Sequence, residues 1–265
     1  MLCFLQQELT KKKYTYGTFN QYRSALSLIL PQDIGQNLLI RRFLKGVLKL
    51  RPPKPKYSVT WDPSLVLSYL KNLPSNTDLS LLTLSKKMAM LLALSTGQRI
   101  QTLSLIRIKN VIFQVSGLKI FITDPVKTTG LHSTQPCIEL PYFTEEKLCV
   151  VSTMLTYIEK TASVRPADEE FLFLSCTKPY KRASTNTIGR WLMDVMNKSG
   201  INTNLFSAYS TRHASTSAAS RAGVSWDVIR KNAGWTEKSQ MFARFYNRPL
   251  IPLKSDFMTL VFKEN

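Results

Sequence analysis

Histidine and cysteine are scarce, with two of the first and four of the second in 265 residues. Cys3, Cys137, Cys149 and Cys176 form no C-x-x-C pair, and no set of four Cys/His ligands clusters in the chain. Neither a structural zinc site nor a disulfide scaffold is therefore expected, and the cysteines read as free thiols of a reducing compartment. Long apolar runs are missing too: none approaches the roughly 18 residues of a membrane span. The opening MLCFLQQELTKKK breaks its apolar run at Gln6 and Gln7 and places its cations after that run, unlike a secretory signal. These absences predict an intracellular chain, nuclear if its source is eukaryotic, with no membrane segment, metal or cofactor.

Acids are also in short supply. Against 36 Lys and Arg there are 17 Asp and Glu, for a formal net charge of +19 and a pI of about 9.9. So basic a protein is suited to a polyanion, above all nucleic acid. The remaining composition, 44% hydrophobic and 20% charged, is ordinary for a globular protein and excludes a disordered tail, a collagen-like repeat or a coiled coil. The length fits one large domain or two small ones, at about 100–200 residues each.

Apolar residues near 3.6-residue spacing predict helices over 14–50, first at Phe19, Tyr22, Ala25, Leu26 and Leu28, then at Leu39, Phe43, Val47 and Leu48. Pro52, Pro53, Pro55 and Pro63 then deny the chain the N–H groups that helices and central strands need. An extended linker is expected over 51–63, between a small helical domain at 1–50 and a larger domain at 64–248. A tail, 249–265, follows. Arg41, Arg42, Lys45, Lys49, Arg51, Lys54 and Lys56 come without an intervening acid. A solvated face would usually interleave acids, so a phosphate-tracking surface is expected here.

Beyond the linker, SLVLSYLKNL and LSLLTLSKKMAMLLALSTG read as helices, the second ended by Gly97. LSLIRIKNVIFQV, LKIFITD and QPCIEL read as antiparallel strands, with a turn at Ser116-Gly117 and a loop at KTTGLHST. A helix capped by Thr144 is expected next, then FLFL as a short buried strand or core segment, then a helix stopped at Gly200. AYSTRHASTSAASRAG, SWDVIRKNAG and EKSQMFARFY read as three short helices. The expected class is α+β, mostly helical, around one small antiparallel sheet.

The run SAYSTRHASTSAASRAGVSWDVIRKNAGW…FARFYNRP resembles the final third of tyrosine recombinases, the phage integrase family. There an H-x-x-R-H helix leads through an A-G-V turn to a helix ending in G-H or G-W, and then to a nucleophilic tyrosine. The matching positions are Tyr209, Arg212 and His213, then Ala222-Gly223-Val224, Gly234-Trp235 and finally Tyr246. Upstream, LLALSTGQRIQTLSL resembles the family's T-G-x-R segment and places its first arginine at Arg99; Lys127, in DPVKTTG, falls where the family has its lysine. A small helical domain, expected to clamp DNA, then a basic proline-rich linker and a catalytic domain resemble that family's layout, and the segment LKGVLKLRPPKPKY looks closest to recombinases of eukaryotic mobile elements such as those of Crypton or DIRS type. The resemblance implies cleavage and rejoining of double-stranded DNA through a covalent 3′-phosphotyrosine.

Physical chemistry supports those roles. Breaking a phosphodiester needs a nucleophile, neutralisation of charge on the phosphoryl oxygens and a proton for the leaving oxygen. Without a metal, arginine suits the second task, being permanently charged with a planar fork that grips two oxygens. Arg99 and Arg212 are expected to clamp the phosphate and Tyr246 to attack it. Lys127 is expected to protonate the 5′-oxygen, since lysine's proton is shiftable. Trp235 is expected to donate its indole N–H to phosphate, and His213 to pack beneath the arginine and orient it. Tyr209 departs from the pattern: a phenol stands where histidine or lysine is usual, and with a pKa of about 10 it is a poor base. The Trp235–Tyr246 spacing is slightly long, and the N-terminal domain is shorter than the usual clamp. A decayed or domesticated DNA-binding protein and a type IB topoisomerase therefore stand as alternatives. The tail's Phe257, Met258, Leu260, Val261 and Phe262 need a burial place, on their own domain or on a neighbouring subunit. In this family such tails link a homotetramer on paired DNA sites.

Overall fold

The computed structural model describes residues 1–30, 34–130, 135–236 and 239–251. It divides into two units, Met1–Lys56 and Tyr57–Asn265. The first holds helices α1 (Leu2–Lys11), α2 (Tyr16–Leu26) and α3 (Leu38–Leu50). Asn37 starts α3 by accepting from the N–H groups of Leu39 and Ile40. Ile40, Leu44 and Val47 recur along one stripe and pack with Leu5 and Phe19. Arg41, Arg42, Lys45 and Lys49 are left exposed on the rest of the helix.

Arg51, grouped by sequence with those cations, behaves differently. Its guanidinium donates to the carbonyls of Leu9 (3.0 Å), Lys12 (2.9 Å) and Tyr14 (3.0 Å), closing the C-terminal end of α1. The expectation of a phosphate-facing Arg51 is corrected to this internal tie. The helix α1 itself went unread because Met1 offers it no side-chain cap. Its signal is the Leu2, Leu5, Leu9 spacing, with Leu5 fully buried.

The second unit contains α4 (Pro63–Lys71), α5 (Leu81–Thr96), α6 (Ile100–Ser104), β1 (Val111–Gln114), β2 (Gly117–Phe121), β3 (Cys137–Pro141), α7 (Val150–Ala162), α8 (Thr185–Lys198), α9 (Ser210–Arg221), α10 (Trp226–Asn232) and a π-helical turn, Phe242–Tyr246. Apolar on nearly every side, α5 is the central helix, enclosed by α7, α8 and α9. The sheet is antiparallel in the order β1-β2-β3, with Val111 opposite Ile120 and Lys119 opposite Glu139. Leu118, Ile120 and Ile138 turn its inner face into the core. Tyr57, Thr60 and Trp61 are buried here, so residues the prolines marked as linker form part of this unit's body.

Several local expectations give way to longer-range contacts. LSLIRIKNVIFQV is a strand only from Val111; its start is α6 and a 3₁₀ turn, since the left-handed Gly97 directs the chain into a new helix at Arg99. The hairpin turn falls at Val115-Ser116, and Gly117 opens β2. The helix expected from Thr144 starts at Val150. Before it, Glu145 pairs with Lys71 (2.5 Å) and Lys147 donates to the Leu73 carbonyl (2.9 Å), holding that segment to α4. FLFL is core held by isolated bridges at Phe171 and Leu174. Within the stretch read as a last short helix, Phe242–Tyr246 forms a π-helical turn instead of an α-helix. Residues 131–134 of the KTTGLHST loop, and the tail from 252, lie outside the described residues.

One buried charge works against the fold. Lys87 on α5 is fully buried, and its Nζ has no hydrogen-bond partner among the described residues. Burial, with Lys147 adding to it, lowers its pKa from 10.5 to about 8. That shift corresponds to a cost on the order of 3 kcal/mol. A lowered folded pKa on a base means the cost is full below about pH 8 and fades as pH rises towards 10.5. Lys87→Met should therefore raise Tm at pH 7, with the gain shrinking by pH 10; thermal scans at both values check it.

Candidate active site

Two helix ends converge where the T-G-Q-R and A-G-W segments meet. At the end of α5, Gly97 takes φ +59°, and a Cβ there would meet Thr216 Cγ2 at 3.1 Å. The next residue, Gln98, donates from Nε2 to the Asn232 carbonyl at the end of α10 (2.6 Å). Gly234, with φ +66°, leaves room for that amide, since a Cβ would lie 3.1 Å from Gln98 Oε1. The T-G-Q-R and A-G-W segments are thus locked together, and Arg99 opens α6 beside them, half-buried.

Into this junction α9 delivers Arg212. It is 1% exposed, and its Nη1 donates to the carbonyls of Gly97 (2.5 Å) and Ala233 (2.6 Å). Both carbonyls belong to helix C-termini, where the macrodipole is negative. No carboxylate pairs with Arg99 or Arg212 among the described residues. Nε and Nη2 of Arg212 also lack hydrogen-bond partners there. Burial, and then the charge of Arg99, lowers the Arg212 pKa to about 10, still well above neutrality. Its guanidinium carbon sits 3.8 Å from the Trp235 ring centroid. The residue expected to reach phosphate through its indole N–H thus also offers its ring face to this cation.

Tyr246 completes the cluster and is 6% exposed. Its ring lies on His213, with centroids 4.3 Å apart and planes 18° apart, and meets Trp235 edge-on at 4.7 Å. His213, expected under the arginine, stacks on the tyrosine. The hydroxyls of Tyr246 and Tyr209 are hydrogen-bonded to each other. Burial, then that bond, pushes the Tyr209 pKa up to about 12. Tyr209 therefore remains a neutral phenol at physiological pH, able to donate and accept but unable to act as a strong base.

Lys127 stands apart, exposed on the β2–β3 connection. Other lysines of the sheet region are engaged: Lys119 with Glu139 and Lys109 with Glu170, each at 2.9 Å. Lys127 has no ion pair or hydrogen bond among the described residues, so its ammonium is available. Sequence reasoning passed over Gln98, though it stands inside the T-G-x-R segment, and Ser217, whose only signal is a polar residue on a helix that must be buried. The cluster can grip an anion with idle guanidinium donors beside a phenol oxygen.

The family model of the phage integrase family matches residues 67–250. No curated protein sequence matches the chain. Among solved structures, the fold is similar to that of XerA recombinase, with a TM-score of 0.51 and 19% identity over 97% of this chain and 86% of that one. It is also similar to the Tn1549 transposon integrase in complex with circular intermediate DNA, with a TM-score of 0.56 and 15% identity over 97% of this chain and 81% of that one. A third likeness is XerH site-specific recombinase bound to its difH substrate, with a TM-score of 0.53 and 14% identity over 89% and 68% of the two chains. At these identities they show a shared fold.

Proposed function

The chain belongs to the phage integrase family, and we propose that it breaks and rejoins DNA strands with Tyr246 as nucleophile and Arg99 and Arg212 as the phosphate clamp. The observation that carries this reading is Arg212: a buried cation without a carboxylate, with two donors idle beside a tyrosine hydroxyl. In the proposed step the Tyr246 oxygen forms a bond to phosphorus and the bond to the 5′-oxygen breaks. The arginines meet the growing charge on the non-bridging oxygens. Lys127 gives its proton to the departing 5′-oxygen. The phenol proton leaves through the Tyr209 hydroxyl, which hands its own proton to solvent at its exposed edge. The 3′-phosphotyrosine keeps the bond energy, so rejoining needs no nucleotide. Incubation with a nicked suicide duplex tests the reading: a covalent protein–DNA adduct is expected, and stable binding without an adduct would leave a DNA-binding protein that no longer cuts. Relaxation of supercoiled DNA lacking paired sites would instead favour the topoisomerase reading.

The exposed cations Arg41, Arg42, Lys45 and Lys49 of α3, together with Lys54 and Lys56, are proposed to follow the DNA backbone. Each phosphate neutralised contributes about −0.9 to the log–log salt slope on duplex DNA. Changing the four α3 residues to Gln should flatten that slope by several units in a salt titration; an unchanged slope would make this a merely solvated face.

The active assembly is proposed to be a homotetramer on paired sites, linked by the apolar residues of the tail. Deleting 254–265 should then weaken assembly on paired sites and spare binding to one half-site, as read by sedimentation. Unfolding of the truncated monomer would place the tail in its own core.

A further inference from the structure

We infer that Ser217 is the positioning residue for the nucleophile, its hydroxyl fixing the main chain of Tyr246 to the helix that carries the phosphate clamp. The inference rests on Tyr246 as nucleophile. Ser217 is fully buried on α9. Its Oγ donates to the Tyr246 carbonyl (2.6 Å) and accepts from the Arg248 N–H (3.0 Å). One hydroxyl thus uses both its donor and an acceptor lone pair on the residues on either side of Asn247. Arg212 and His213 precede Ser217 on the same helix, so the clamp, the ring under the nucleophile and the tie on its backbone share one rigid mount.

The need for such a tie follows from the local backbone. Phe242–Tyr246 is a single π-helical turn, closed by Asn247 N–H on the Phe242 carbonyl (2.9 Å). One turn alone is marginally stable and cannot set a hydroxyl to within catalytic tolerance. Contacts on both sides of the tyrosine supply what it lacks. His213 and Trp235 hold the ring, and Ser217 holds the carbonyl. Downstream, Arg221 of α9 donates to the Arg248 carbonyl (3.3 Å), and Thr60 pairs with Pro249 and Ile251 through its N–H and carbonyl (2.8 and 2.9 Å). The chain leaving the nucleophile is therefore fastened in sequence to its own catalytic unit, and among these main-chain ties Ser217 holds the nucleophile residue itself. Without the hydroxyl, the Tyr246 carbonyl and the Arg248 N–H would be left without that partner in a dry site. The slack would pass to the one-turn segment, since the α9 backbone ladder does not use the Ser217 side chain.

Threonine and valine have the same shape and differ by the hydroxyl, so Ser217→Thr and Ser217→Val isolate its contribution. On the suicide duplex, Ser217→Val should lower the single-turnover adduct rate by about 10-fold to 100-fold, the scale of a small misplacement of a reacting group. Half-site DNA affinity should stay unchanged, and Ser217→Thr should cleave close to the wild-type rate. Hydrogen exchange across 246–248 should quicken in the valine variant and stay slow in the threonine variant. Should the bulk of valine prevent folding, Ser217→Ala takes its place in both measurements. Equal cleavage by the threonine and valine variants would overturn the inference. If the wild-type protein forms no adduct, the parent reading fails, and exchange alone decides this one: unchanged exchange in the valine variant overturns it.

Discussion

Tyr246→Phe should abolish the covalent protein–DNA adduct while leaving DNA affinity nearly unchanged. The substitution removes one oxygen and keeps the ring, so the stack on His213 and the edge contact with Trp235 survive. Ser217 binds the backbone of residue 246, which the change does not touch. The Tyr209 hydroxyl loses its partner but lies on a side chain 37% exposed, where water can replace it. The variant leaves the Arg212 bonds to the Gly97 and Ala233 carbonyls and the basic face of α3 in place, so binding should persist. Denaturing gels read the adduct and half-site titrations read the affinity. An undiminished adduct would show that another residue attacks, and peptide mapping of the labelled site would identify it, with Tyr209 the nearest hydroxyl.

The part of this cluster around Arg99 and Trp235 was legible because it sits in two short motifs whose glycines enforce turns. Gly97 and Gly234 adopt left-handed backbone and meet across Gln98, which brings Arg99 and Trp235 to one place. Those turns are written locally, so a sequence reading can find them. Ser217 was not legible for the opposite reason. A serine within ASTSAAS reads as a weak helix former, and its role depends on a segment that returns almost thirty residues later. The π-helical turn is similarly hidden, because Phe242, Phe245 and Tyr246 fit an α-helical stripe equally well. Arg51 looked like its neighbours by charge alone; only the approach of α1 turns its fork inward. The late start of α7 has the same origin, an ion pair to α4 outweighing a plausible local cap. Pattern thus picked out residues that the fold brings together, and contacts distant in sequence decide how they are held.

Arg212→Gln should stop cleavage without destabilising the protein. As built, the wild-type side chain is expensive to keep: it is 1% exposed, lacks a carboxylate among the described residues and has its pKa lowered to about 10. A shift of that size reflects a cost of roughly 3 kcal/mol, present in full at every pH below the lowered value. Glutamine removes the charge and keeps an amide that can donate to the Gly97 or Ala233 carbonyl. Its Tm between pH 6 and 8 should match or exceed that of the wild type, while cleavage falls by about 10²–10³ or more, as for loss of a preorganised charge-stabilising donor. Arg212→Lys should rescue little, because a point charge cannot reproduce the fork. Arg212→Ala should lose cleavage and lower Tm together, since it opens a cavity and strands both carbonyls. Adding a half-site duplex separates charge from packing. Its phosphate supplies the counter-charge the fold withholds, so DNA should raise the wild-type Tm more than that of Arg212→Gln. Equal DNA-induced shifts in the two proteins, or a glutamine variant that cleaves normally, would show that Arg212 is structural and that the phosphate is gripped elsewhere.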